Sequence, residues 1–161
     1  MSSLAILILT KNEEENIVSV VRNAKSCTDE VIVIDSGSTD KTIELAKQEG
    51  AAVCYRAWDD DFSAQRNFAL AQTKADWVLY LDADERLNNQ LISAIKNIVS
   101  EGKLDSQFSI ERKSVAFGTK FNHGVLKPDH VIRMFPRTTV VWVHKVHEHP
   151  ECSLSIQILP G

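Results

Sequence analysis

The sequence predicts an α/β fold in three layers: a mostly parallel sheet, helices on both of its faces, and antiparallel strands in the C-terminal third. Two observations predict it. Over the first hundred residues short apolar runs alternate with segments of helical periodicity. After Lys103 the helical segments stop, and strand-like runs follow one another across short turns.

In order, LAILIL (Leu4 to Leu9) is a continuous apolar run, as a parallel strand covered on both faces requires. EENIVSVVRNAKS sets Ile17, Val20, Val21 and Ala24 on one helical face. VIVI (Val31 to Ile34) is a second strand, DSGSTD the turn behind it, and TIELAKQ a helix that Gly50 closes. AAVCY (Ala51 to Tyr55) is the third strand. The loop with Asp59, Asp60 and Asp61 leads to the helix SAQRNFALAQ, for which Ser63 is the expected N-cap. WVLYL is the fourth strand. A helix from about Asn88 to Ser100 then buries Leu91, Ile95, Ile98 and Val99 and ends at Gly102. Beyond it QFSIERKS, HVIRMF, TVVWV and LSIQIL read as strands, extending the sheet and lending loops to one cleft. The length suits a single domain, residues 1–161.

Composition removes several classes of function. Eighteen basic against twenty-two acidic residues give a formal charge of −4, which excludes a broad basic face and with it a nucleic-acid partner. Cys27, Cys54 and Cys152 form no CxxC pair and read as reduced intracellular thiols, Cys54 in strand core. LAILIL is too short to span a membrane and is followed by KNEEE, so neither a signal peptide nor a transmembrane helix is expected. The expected location is cytoplasmic, with peripheral membrane contact left open.

In an open parallel sheet, ligands bind beyond the carboxyl ends of the strands. TKNEEEN, DSGSTD, the Asp59–Asp61 loop and DADER each follow a strand, so all four gather on one rim, although each alone also reads as a solvated turn. In DADER, Asp82 and Asp84 point to the same side of an extended segment and can share Mg²⁺ or Mn²⁺, completed by substrate phosphates. The plainer reading has Asp84 and Glu85 complementing the dipole of the next helix. Asp35 ends the second strand as an acceptor for ribose hydroxyls or a base N–H, while Asp40 caps the helix after it. Arg66 in AQRN either faces a diphosphate or nucleobase, or is a surface arginine pairing with Asp59–Asp61. HKVHEHP gathers His144, His147, Glu148 and His149, with His147 and His149 on one face of an extended strand and Glu148 on the other. It offers a base or metal ligand, or merely an exposed edge. Neither GxGxxG nor a Walker pattern is present.

In order and spacing, LTKNEEENI, VIVIDSGSTDKT, AQRNFAL, WVLYLDADE, RMFP and VHE together resemble the family 2 glycosyltransferases of the GT-A fold. Among these the likeness is to bacterial enzymes that add a hexose to lipopolysaccharide core or related surface glycans, and it runs from Leu4 to about His149. The resemblance implies that Thr10, Glu13 and Asp35 line a nucleotide pocket, with Arg66 beside it. Asp82 and Asp84 match the DxD motif, Asp84 as the more direct ligand of Mg²⁺ or Mn²⁺ and Asp82 nearer the sugar or ribose. Glu148 takes the place of the general base, and Arg133 in RMFP that of a residue fixing the loop or the leaving diphosphate. The implied activity is inverting transfer of a hexose from a UDP-sugar to a glycan or lipid-linked acceptor, at the inner membrane face. Residues 1–102 are then the nucleotide-sugar-binding half and 103–161 the acceptor side. Family members continue beyond the VHE region, so a truncated domain that binds nucleotide-sugar without turnover is one alternative. A nucleotidyltransferase is another, though it calls for a Gly-rich basic loop where TKNEEE stands; a DxD phosphatase would carry its motif behind the first strand.

Overall fold

The computed structural model describes residues 2–113, 115–116, 119–120 and 128–160. Strand β1 (Leu4–Thr10) leads through helix α1 (Ile17–Lys25) to β2 (Glu30–Asp35), and α2 (Thr42–Gln48) leads to β3 (Ala52–Tyr55). Helix α3 (Phe62–Ala71) precedes β4 (Trp77–Asp82), and α4 (Asn89–Glu101) precedes β5 (Ser106–Arg112). The short pair β6 (Val115–Ala116) and β7 (Thr119–Lys120) is antiparallel. Then come β8 (Asp129–Pro136), β9 (Val141–Val143), β10 (His149–Glu151) and β11 (Ser155–Leu159).

The main sheet has seven strands in the order β11-β5-β8-β4-β1-β2-β3. β1 lies between β2 and β4 and runs parallel to both, so it is covered on all sides, which is why LAILIL carries no polar alternation. One face carries Ile6, Ile8, Val33, Leu79 and Leu81, packed by Val20 and Val21 of α1, Ala46 of α2, and Leu91 and Ile95 of α4. The other carries Leu7, Ile34, Val78 and Tyr80, packed by Ala69 of α3 and by Phe135 and Trp142. Register sets Thr10 beside Asp35, Leu9 beside Asp82 and Asp35 beside Tyr55. Four strand ends therefore share one rim.

The α/β class and the mostly parallel sheet hold, and the last third refines the expectation. β8 is antiparallel to both β4 and β5, but β11 runs parallel to β5. The TVVWV run does not join this sheet: β9 pairs with β10 as a separate two-stranded hairpin. Gln107 helps the chain return, since its side-chain amide nitrogen, Nε2, donates to the carbonyls of Cys152 and Leu154 just ahead of β11, which lies beside β5. Helix ends show one correction. Asp61, not Ser63, is the N-cap of α3: its carboxylate accepts from the Ala64 N–H, and Ser63 donates its hydroxyl to it. Asn88 caps α4, and Gly102 closes it with φ of 70°. Cys54 is half-buried on edge strand β3. Among the described residues no helix is long and apolar enough to cross a membrane.

Candidate active site at the carboxyl rim of the sheet

The loops behind β1 and β2 are laced together. Asn12, held at φ of 54°, accepts from the Thr39 N–H at 2.8 Å and donates its own N–H to the Ser38 hydroxyl at 2.8 Å. The Glu13 N–H donates to the Thr42 hydroxyl at 2.8 Å, and Asn16 donates to the Glu13 carboxylate at 2.9 Å. Asp35 is fully buried. Its Oδ2 accepts from the N–H groups of Gly37 and Ser38 at 2.8 and 2.9 Å, and its Oδ1 accepts from the Ser38 hydroxyl. Gly37 needs its φ of 102°, a conformation costly to any side chain. Asp35 thus fastens its own loop. Asp40 does the same one turn later: the Thr42 hydroxyl holds its carboxyl below the usual range, and the Thr42 N–H adds to this. Thr10 differs, because its hydroxyl is buried without a partner among the described residues.

Beyond β4 the rim is built from charges. Asp82 and Glu85 lock the turn between them: Glu85 N–H donates to the Asp82 carbonyl at 3.0 Å, and Asp82 N–H to the Glu85 carboxylate at 2.9 Å. Arg133 of β8 donates through Nη2 to Asp82 at 2.7 Å and to Glu85 at 3.2 Å. Arg66 of α3 approaches from the other side, with Nη2 3.7 Å from Asp82 and Nε–H donating to Glu148 at 3.3 Å. Its guanidinium lies over the rings of Trp142 and Tyr80, 4.6 and 5.6 Å from their centroids. Burial pushes the Tyr80 phenol well up, and its hydroxyl donates to the Arg66 carbonyl at 3.0 Å. Arg112 extends the alternation, 3.7 Å from Glu85 and paired at 2.8 Å with Asp129, whose carboxyl it holds below the usual range.

Each candidate residue has a definite place in this arrangement. Arg66, Asp82, Arg133 and Glu148 form one cluster, whereas Thr10, Glu13 and Asp35 stand on the β1–β2 side. Arg66 is no surface residue; the partner of Asp59 is Arg56, at 2.8 Å. Glu85 faces Arg133 and Asp82 rather than a helix end, since α4 begins only at Asn89 behind its own cap. The strand expected for HKVHEHP is a turn instead. His144 and His147 take φ of 66° and 56°, and regular pairing resumes only at His149. Glu85 was expected on the rim only as a complement to a helix dipole, and Arg112, Asn67 and Trp142 were given no role there. A signal existed for Glu85, lying inside DADER, but none marks Arg112 in a strand pattern.

A cleft of about 680 Å³ is bordered by Asp82, Asp84, Glu85 and Arg133 over a floor that includes Leu81 and Ile110. The Nη1 of Arg66 and the Nε of Arg133 are both buried without a partner among the described residues. Among those residues no three His, Cys, Asp or Glu side chains converge on a ready-made cation site. Asp82 has both oxygens facing arginines, whereas Asp84 is exposed and no hydrogen bond or ion pair from the described residues holds it. The chemistry on offer is anion binding by buried guanidinium groups beside one free carboxylate.

Residues 5–148 match the model of the family described as glycosyl transferase family 2. The chain belongs to that family. This family 2 domain is 38% identical over 113 residues to an uncharacterized glycosyltransferase of Rickettsia typhi, covering 70% of this chain and 38% of that protein. It is 30% identical over 146 residues to the prophage-derived glycosyltransferase SunS of Bacillus subtilis, covering 89% of this chain and 33% of that one. The chain thus spans well under half the length of these relatives. Glucosyl-3-phosphoglycerate synthase of Mycobacterium tuberculosis shares the fold, with a TM-score of 0.57 at 24% identity over 68% of this chain and 43% of the other. That enzyme has been solved with UDP, and with Mn²⁺, UDP-glucose and phosphoglyceric acid.

Proposed function

We propose that this family 2 domain transfers a hexose from a UDP-sugar to a hydroxyl of a glycan or lipid-linked acceptor, with inversion, in the building of bacterial surface polysaccharide or lipopolysaccharide. Residues 1–102 hold the donor and the remainder shapes the acceptor side, in the cytoplasm and at the inner face of the membrane. The observation that carries this reading is Arg66: a buried guanidinium, stacked on Trp142, standing between Asp82 and Glu148 with Nη1 unpaired. A buried cationic donor with nothing to bond is costly unless an anion completes it. A diphosphate supplies that anion. The UDP and UDP-glucose held by the mycobacterial enzyme of the same fold support that choice.

Thr10, with its unpaired hydroxyl, and Glu13 border the nucleotide, and Asp35 acts by fixing the loop that the nucleotide meets. Asp84 is the carboxylate that would hold Mg²⁺ or Mn²⁺. A single free carboxylate fits a cation that keeps waters and shares substrate phosphates, and Asp82, engaged by two arginines, fits less well. When bound, such a cation offsets charge on the departing diphosphate. Glu148 takes the proton from the acceptor hydroxyl, whose oxygen forms the new bond to C1 of the sugar. The bond from C1 to the phosphate oxygen breaks, and UDP leaves with its electron pair. Removing such a base costs about 10²–10⁴ in rate. Arg133 holds Asp82 in place on the side away from Arg66.

Calorimetric titration of UDP with Mn²⁺, repeated with EDTA and with Asp84→Ala, tests the donor site. The expected result is binding that requires the metal and is lost in Asp84→Ala. Folded protein that binds UDP under none of these conditions overturns the reading.

A further inference from the structure

Arg66 enters the charged cluster, but its neighbour in AQRN, Asn67, points into β9. There its amide makes two hydrogen bonds to one residue: Nδ2 donates to the Trp142 carbonyl at 2.8 Å, and Oδ1 accepts from the Trp142 N–H at 2.9 Å. A side-chain amide thereby does the work of a neighbouring strand. Trp142 stands opposite Pro150 in the β9–β10 pairing, and proline has no N–H to exchange, so the Trp142 backbone groups are turned outward to Asn67. Two strands of three residues do not hold together alone in water. This hairpin is anchored by the double bond and by the Trp142 ring, which packs on Tyr80 and Phe135 with centroids 5.1 and 6.1 Å apart. Glu148 rides on the same hairpin, immediately before β10, and meets Arg66 from that side. Of two adjacent helix residues, one bonds the Glu148 carboxylate and the other holds the strand that brings it.

The geometry points to Asn67 as a positioning residue: by clamping Trp142 it sets Glu148 against Arg66 at the rim. Where turnover is concerned this rests on Glu148 as the base; the placement itself does not. Asn67→Ala removes both bonds and leaves a strong helix former in α3. Asn67→Asp keeps the shape and loses the donor to Trp142.

Both variants, Glu148→Gln and the unaltered full chain are compared by amide hydrogen exchange and by ¹⁵N spectra of the arginine Nε–H groups. In the unaltered chain the Arg66 Nε–H is protected by Glu148. Protection is expected to vanish in the two Asn67 variants and to weaken in Glu148→Gln, whose Oε1 still accepts but carries no charge. In the two Asn67 variants exchange across residues 141–151 rises by about tenfold or more, while β1 and β4 keep theirs. An unchanged Arg66 signal and unchanged hairpin exchange in Asn67→Ala overturn the proposal, and so does exchange that rises equally in β1 and β4. A second arm follows release of UDP from UDP-glucose. Residues acting as one unit are not additive, so Asn67→Ala combined with Glu148→Gln is expected to be no slower than Glu148→Gln alone. Additive losses overturn the proposal. An unaltered chain that neither binds UDP nor releases it sinks the proposed function instead, and the exchange and Nε–H results alone then decide for or against Asn67.

Discussion

The two sides of the rim are built on different principles. Behind β1 and β2, carboxylate and hydroxyl oxygens are taken up mainly by backbone N–H groups, and Asp35 finds its donors two and three residues away. Beyond β4, charge meets charge across the chain: Asp82 and Arg133 are 51 residues apart, and Arg66 and Glu148 are 82 apart. Among the described buried side-chain atoms the first side leaves over only neutral ones, the Thr10 hydroxyl and the Gln65 Oε1 beside Ser36, whereas the second leaves guanidinium nitrogens of Arg66 and Arg133 unpaired. A loop finished by its own backbone is rigid before anything binds. A cluster of ion pairs with spare donors can exchange a partner for a ligand, and that is where the proposed diphosphate would gain most.

The contrast can be broken most severely at Arg133. Arg133→Met leaves Asp82 and Glu85 facing one another without their shared cation. Removing one member of a buried pair costs about 3–5 kcal/mol, and because Asp82 and Glu85 keep 34% and 19% exposure the expected loss is roughly 2–3 kcal/mol in urea unfolding. Asp35→Ala attacks the other side and strips two N–H groups of a charged acceptor. It is expected to cost about 2 kcal/mol and to raise amide exchange at Gly37 and Ser38. Asn88→Ala is a control away from both sides, losing only a cap on α4, for about 1 kcal/mol in the same unfolding measurement.

Acid sharpens the comparison further. The carboxyls of Asp40, Asp61 and Asp76 are held below the ordinary range, first by the Thr42 hydroxyl, the Ala64 N–H and the Ser3 N–H respectively. A lowered folded pKa means that the unfolded chain binds more protons. The stability these groups confer is therefore complete above the unfolded value of about 3.9 and lost as pH falls below it. Urea midpoints measured from pH 7 downwards should stay level with respect to these groups until about pH 4 and then drop. Asp76→Asn should flatten part of that drop. Added salt should weaken the exposed Arg112–Asp129 pair and leave these hydrogen-bonded carboxyls nearly unaffected.

The sequence by itself determined the alternation of strand and helix through α4 and the order of the rim motifs, because apolar periodicity, caps and turn glycines act over a few residues. WVLYL is legible as a buried strand, and Gly102 as a helix stop, without knowledge of any neighbour. Only the tertiary structure decided that β8 lies between β4 and β5, that β9 and β10 leave the main sheet, and that Asp61 rather than Ser63 caps α3. It alone decided what offsets the acidic end of β4. Arg133 and Arg66 reach Asp82 from β8 and α3, and no local pattern distinguishes such arginines from those on a solvated surface. Asn67 illustrates the same limit: its amide is ordinary in a helix until the fold lays an unpaired strand backbone against it. Pairings of this kind depend on complementary groups meeting after long loops have closed, and spacing along the chain carries no record of them.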